Sequence, residues 1–129
     1  LNSGIIDVTG ANLSITQSGT TPSFANSGTI NIASGRTFTI SGGTVDLSAG
    51  NVVGPDGTLA LPGTTLTLAS AAANTRFNFG ATAATLAAPY TIPVADSLVI
   101  LGGTLNGAGL TVSGRLRVLG NATLGTPMA

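Results

Sequence analysis

The chain has 129 residues, 43% of them hydrophobic, and its only charged side chains are four Arg and four Asp, giving a formal net charge of zero. That length predicts one domain with enough apolar content for a core. The balance leaves no electrostatic footprint for nucleic acid or anionic lipid, and without His or Cys there is no imidazole or thiolate for a transition metal, no disulfide, and no Ser-His-Asp or Cys-His nucleophile. No apolar run approaches the roughly 20 residues of a membrane helix, so insertion into a membrane is not expected. The chain opens at Leu1 without a leader-like segment and reads as a mature or excised piece of something longer.

From the N-terminus, apolar residues arrive in i, i+2 pairs or singly: Ile6/Val8, Leu13/Ile15, Phe24, Ile30/Ile32, Phe38/Ile40, Val45/Leu47, Val52, Leu59/Leu61 and Leu66/Leu68. The i, i+2 spacing puts both side chains of a pair on one face of an extended strand. In the clearest stretch the pairs recur about every seven residues. A coiled-coil heptad has the same step, but Gly42, Gly43, Gly50, Gly54, Pro55, Gly57, Pro62 and Gly63 fall in that stretch, and a helix does not survive such a density of breakers. Between Ala69 and Pro93 the rhythm blurs into alanines, and longer corners or a protruding loop are expected around Ala71 to Arg76, with a short helix as the alternative. The rhythm is still carried downstream by Phe77/Phe79, Leu86, Ile92/Val94, Leu98/Ile100, Leu105, Leu110/Val112, Leu116/Val118 and Leu124.

Strands this short cannot bury an apolar face alone; coiling the chain and stacking the coils does it. The expected fold is therefore all-β, a right-handed parallel β-helix with about six rungs of about 21 residues, forming a single domain over 1–129 with an irregular Ala-rich stretch at 69–93. A left-handed solenoid with a six-residue code is the rival geometry, which the seven-residue step disfavours. Gly28-Thr-Ile-Asn, Gly43-Thr-Val-Asp, Gly57-Thr-Leu-Ala and Gly103-Thr-Leu-Asn repeat one pattern, with Gly4-Ile-Ile-Asp as a looser copy. In it Gly turns the corner, Thr enters the strand, the next residue faces inward and the polar one faces out.

The segment from Asn26 to Leu47 and the segment from Gly103 to Leu116 resemble the degenerate repeats of large bacterial surface proteins, namely autotransporter passengers and filamentous-haemagglutinin-like adhesins. The resemblance implies a right-handed β-helix, secretion to the bacterial surface, and a stalk or adhesive role. It supplies no active-site residues.

Candidate sites are correspondingly few. Asp7 and Asp46 are expected to face solvent and would line up only if they share a sheet, while Asp56 before Gly57 reads as a turn residue. Catalytic residues, cofactors and metals are expected to be none; Gly42-Gly43-Thr-Val-Asp46 lacks the third glycine of a calcium nonapeptide. Arg115 and Arg117 alternate with Leu116 and Val118 and should point outward together, available to an anionic sugar or a partner carboxylate. Arg36 and Arg76 read as isolated corner or loop charges. Thr37/Thr39 and Thr65/Thr67 are outward Thr-x-Thr pairs, which on successive rungs would make a flat face for ice or carbohydrate.

The expected function is a non-catalytic extracellular structural module, either a rigid segment of a surface adhesin or a subunit of an end-to-end fibre. The expected partners are other copies of the chain or flanking rungs, with carbohydrate or a host surface as further candidates. Leu1, Ile5, Ile6, Val118, Leu119 and Leu124 are the residues expected at the stacking ends, because neither end shows an amphipathic capping helix.

Overall fold

A computed structural model describes residues 1–54, 56–69 and 75–129. Among these residues sixteen strands run in parallel sheets, and no helix occurs. The chain winds as a β-solenoid with three faces. The first face carries β1 (Ile5–Val8), β4 (Thr29–Ile32) and β7 (Asn51–Val53), and further along β12 (Tyr90–Ile92) and β14 (Leu110–Val112). The second carries β2 (Leu13–Thr16), β5 (Thr37–Ser41), β8 (Thr58–Ala60), β10 (Arg76–Asn78), the first half of β13 (Ser97–Gly107) and β15 (Arg115–Val118). The third carries β3 (Ser23–Ala25), β6 (Thr44–Asp46), β9 (Thr65–Thr67), β11 (Ala84–Leu86), the second half of β13 and β16 (Ala122–Leu124).

Six strands stacked on the second and third faces span about five turns, against the six rungs expected, because six levels enclose five steps. The register Leu13–Phe38–Leu59–Phe77–Ile100–Val118 on the second face advances by 25, 21, 18, 23 and 18 residues. On the third face Phe24–Val45–Leu66–Leu86 advances by 21, 21 and 20. Variation in coil length is thus absorbed in corners, while the third face keeps an even register.

The inward residue of each strand forms the core. Ile30, Ile32, Phe38, Ile40, Val45, Leu47, Leu59, Leu61 and Leu66 are buried, and Leu68 packs against them half-buried. Phe24 meets Phe38 edge-on at 6.1 Å and Phe77 stacks on Phe79 at 5.9 Å. Full burial of each such side chain stabilises by about 1.5–3 kcal/mol, and lateral stacking achieves it without a second layer of structure. Val94 departs from expectation: it sits in a corner and is 83% exposed, so only Ile92 of that pair faces inward.

The Gly-Thr-apolar-polar pattern is the code of a single strand rather than of a rung. It starts β4 on the first face, β8 on the second and β6 on the third. Its glycine lies directly beneath the preceding rung: a Cβ at Gly28 would come within 2.0 Å of the Gly4 carbonyl oxygen, and one at Gly57 within 2.4 Å of the Ile32 oxygen. Three such units per turn convert a step of seven into a coil of 21.

The alanine-rich stretch is more regular than its composition suggests. β10, β11 and β12 continue the stack, with Ala84 fully buried as an inward residue of β11. The expected loop or short helix near Ala71 falls on 70–74, outside the described residues. Arg76, read as a loop charge, is instead the first residue of β10 and donates from Nη2 to Asp56 Oδ1 at 2.6 Å.

Candidate functional site

Each outward face presents its own column of side chains, built by the register. On the third face Ser23, Thr44, Thr65 and Thr85 occupy one column over four successive rungs, all exposed, and Asn106 continues it. Strand spacing puts these groups about 4.8 Å apart. Beside that column lie Ala25, Asp46 and Thr67, and in the last two rungs Thr104 over Thr123. On the second face the column reads Thr37, Thr58, Arg76, Val99 and Arg117.

This placement separates the two Thr-x-Thr pairs. Thr37 and Thr39 belong to β5 on the second face, and Thr65 and Thr67 to β9 on the third, so they form no common array. The hydroxyl column that does exist draws one residue from each rung. Spacing within the sequence could not reveal it, since Ser23, Thr44, Thr65 and Thr85 are 20 or 21 residues apart in a chain full of Ser and Thr.

The aspartates are likewise dispersed. Asp7 lies on β1, where Asn31 donates to it across the rung, and Asp46 lies on β6, a different face. Hydrogen bonding from the Ser48 hydroxyl, together with the Ser48 backbone N–H that the Asp46 carboxylate accepts at 2.8 Å, holds its pKa below the ordinary carboxylate value. Asp56 is engaged by Arg76. No group of three or more His, Cys, Asp or Glu side chains able to hold a metal occurs among the described residues. Burial, reinforced by the charge of Asp96, pushes the Tyr90 phenol above its ordinary value.

Arg115 and Arg117 point outward from β15, as expected, while Leu116 and Val118 turn inward. Arg36 sits in a corner, its Nε donating to the Thr9 carbonyl at 3.3 Å.

The ends of the column differ from its middle. Leu13 and Val118 are in register with the fully buried Phe38 and Ile100, yet they are 38% and 48% exposed because no rung covers them. Ile6, Ile15, Leu116 and Leu124 are partly buried for the same reason. Ile5 belongs elsewhere: it registers with Thr29 and projects sideways from the first face, and Leu119 lies in a corner. Leu1 is 85% exposed. At the far end Met128 forms an isolated parallel bridge to Leu110.

A trough of about 480 Å³ runs along the corner between the second and third faces over the last three rungs. Gly80, Gly103 and Gly120 form its floor, and Ala81, Thr104, Val118, Asn121, Ala122 and Thr123 its sides. Higher in the column the same corner is filled: Gln17 donates to the carbonyls of Gly42 and Thr44, and Pro22 and Pro62 pack against the glycines below them.

No family model matches the chain, and no match was found among curated proteins or among solved structures.

Proposed function

We propose that this chain is a non-catalytic structural module of the bacterial cell surface, a rigid rod segment whose ends continue into further rungs of a longer protein or into other copies of itself. The observation that carries this reading is the state of the terminal rungs. Their inward residues Leu13 and Val118 remain substantially exposed where the same positions one rung inward are fully buried. An open rung also offers backbone N–H and C=O groups to an incoming strand.

The placement of Asp7 and Asp46 on different faces and the pairing of Asp56 with Arg76 support a non-catalytic reading, because glycoside hydrolysis typically uses two carboxyl groups flanking one bond. The charges at the two ends do not guide stacking in the simplest way. Asp7 is on the first face and Arg115 and Arg117 on the second, so copies stacked with faces aligned would not oppose them. Growth would rest on apolar contact and strand pairing, and a head-to-tail contact of this kind does not close.

The test is sedimentation velocity of the 129-residue chain over a wide concentration range, with electron microscopy of the same samples. Concentration-dependent growth into filaments is expected. A monomer that stays monomeric at every concentration would overturn self-assembly, and display of the chain on cells without any surface exposure would overturn the location.

A further inference from the structure

The trough at the corner of the last three rungs is independent of the rod reading, and its chemistry is specific. Its floor is backbone because the corner admits nothing else. A Cβ on Gly103 would fall 2.5 Å from the Gly80 nitrogen, and one on Gly120 would fall 1.9 Å from the Leu101 oxygen. Gly80 and Gly103 also hold φ of +68° and +91°, a region side chains disfavour. The glycines therefore serve close stacking, and the trough is its by-product in the rungs where no proline or glutamine fills it.

What lines this space is uncharged throughout. Thr104, Thr123 and Asn121 offer hydroxyl and amide groups that both donate and accept, while Ala81, Ala122 and Val118 offer small apolar surfaces beside them. A charged ligand would find no counter-ion there, and a purely apolar one would leave the hydroxyls and the amide unpaired. A pyranose matches both demands, since it carries hydroxyls on its rim and C–H groups on its faces.

Shape adds a second constraint. The trough crosses three rungs, at Gly80, Gly103 and Gly120, and rungs are about 4.8 Å apart. That repeat is close to the length of one sugar unit in an extended chain, and Thr104 and Thr123, in register one rung apart, present two hydroxyls at that step. In the neighbouring outward column of the third face, Thr85 and Asn106 add a hydroxyl and an amide in the first two of these rungs.

We propose that this corner trough binds a linear, neutral polysaccharide lying along the column axis. Binding is weak per sugar and increases with chain length until the trough is filled, since no aromatic platform is present in its lining.

The experiment is an NMR titration of the 129-residue protein with neutral linear hexasaccharides of glucose, N-acetylglucosamine, mannose and galactose, each at millimolar concentration, in low and high salt. At least one should shift the amides of Gly80, Ala81, Gly103, Thr104, Gly120 and Thr123 as a group, with an affinity that rises from monosaccharide to trisaccharide, levels off by the hexasaccharide because three rungs span only about 10 Å, and is insensitive to salt. Thr123→Arg, an exposed outward position, should obstruct the trough and weaken binding by roughly tenfold or more, about 1.4 kcal/mol. Thr44→Arg, on the same face but outside the trough, should leave binding unchanged, and matched thermal melts of both variants check that each is folded. No shifts with any of the four sugars, shifts centred elsewhere, or full binding by folded Thr123→Arg would overturn the proposal. So would binding only of anionic oligosaccharides with strong salt dependence, which would point to Arg115 and Arg117.

Discussion

Phe38 and Leu13 occupy the same column of the second face, one rung apart, yet Phe38 is fully buried and Leu13 is 38% exposed. The difference lies in what stands above them. In a sandwich or bundle a strand buries its face against another layer, but here each rung is covered by its neighbours along the axis. On this face burial depends on position in the stack, whereas Val8 and Phe24 of the same end rung are buried, so the open end weakens the strand code most at Leu13.

The sharpest way to break that comparison is a charge. Phe38→Asp places an unpaired carboxylate in the core and should cost roughly 4–5 kcal/mol or more, enough to abolish cooperative melting. Leu13→Asp, at the open end, should leave a cooperative transition within a few degrees of the parent. Equal damage from the two would mean that Leu13 is covered in solution. Next comes truncation: Leu59→Ala should destabilise by about 2–5 kcal/mol in denaturant titration, whereas Val118→Ala should cost under about 1 kcal/mol.

Gly28→Ala probes the contact between the end rung and the rest. Its Cβ would collide with the Gly4 backbone, so rung one should detach while deeper rungs survive. Hydrogen exchange would show this as lost protection at Ile6 and Val8 with protection kept at Phe38 and Leu59; uniform loss across the stack would contradict it.

The smallest effect is electrostatic. The pKa of Asp46 is lowered on folding by hydrogen bonds from the Ser48 hydroxyl and backbone N–H, so its contribution is fully present above the unfolded carboxylate value of about 3.9 and is lost as pH falls through the lower folded value. Because Asp46 is exposed, solvent screening should keep its contribution to stability small. Melting temperatures of the parent and Asp46→Asn should differ by a constant amount at neutral pH and converge in strong acid. A gap that widens toward acid would reverse the assigned sign.

The architecture was legible because glycine, the i, i+2 pairs and the step of seven all report strand and corner chemistry that is local. Which strand lies on which face was not legible. Coil length wanders between 18 and 25 residues on the second face, so register cannot be counted from one rung to the next without knowing how each corner bends. That is why Thr37/Thr39 and Thr65/Thr67 looked alike yet fall on separate faces, and why the hydroxyl column from Ser23 to Thr85 went unread. The trough was invisible for a related reason: its glycines resemble every other corner glycine, and which corners a proline or glutamine reaches depends on the register between rungs. Asn2 and Asn26 were missed as structural groups altogether. Both are buried, Asn2 donates to Asn26 Oδ1 at 2.7 Å, and one rung on the same corner position is taken by Leu47.

The wandering coil length has a consequence for how such a column is assembled. Closing a loop of 25 residues rather than 18 costs only about 0.3 kcal/mol more in chain entropy, because the penalty grows with the logarithm of length. Corners can therefore lengthen or shorten almost without thermodynamic penalty, while a single residue added inside a strand would turn its inward side chain to solvent. Every inter-rung contact also spans about one coil however tall the column becomes. Relative contact order then falls as rungs are added, and a longer member of this architecture should fold by zipping outward from its best-packed rung at a pace set by one coil rather than by the whole chain.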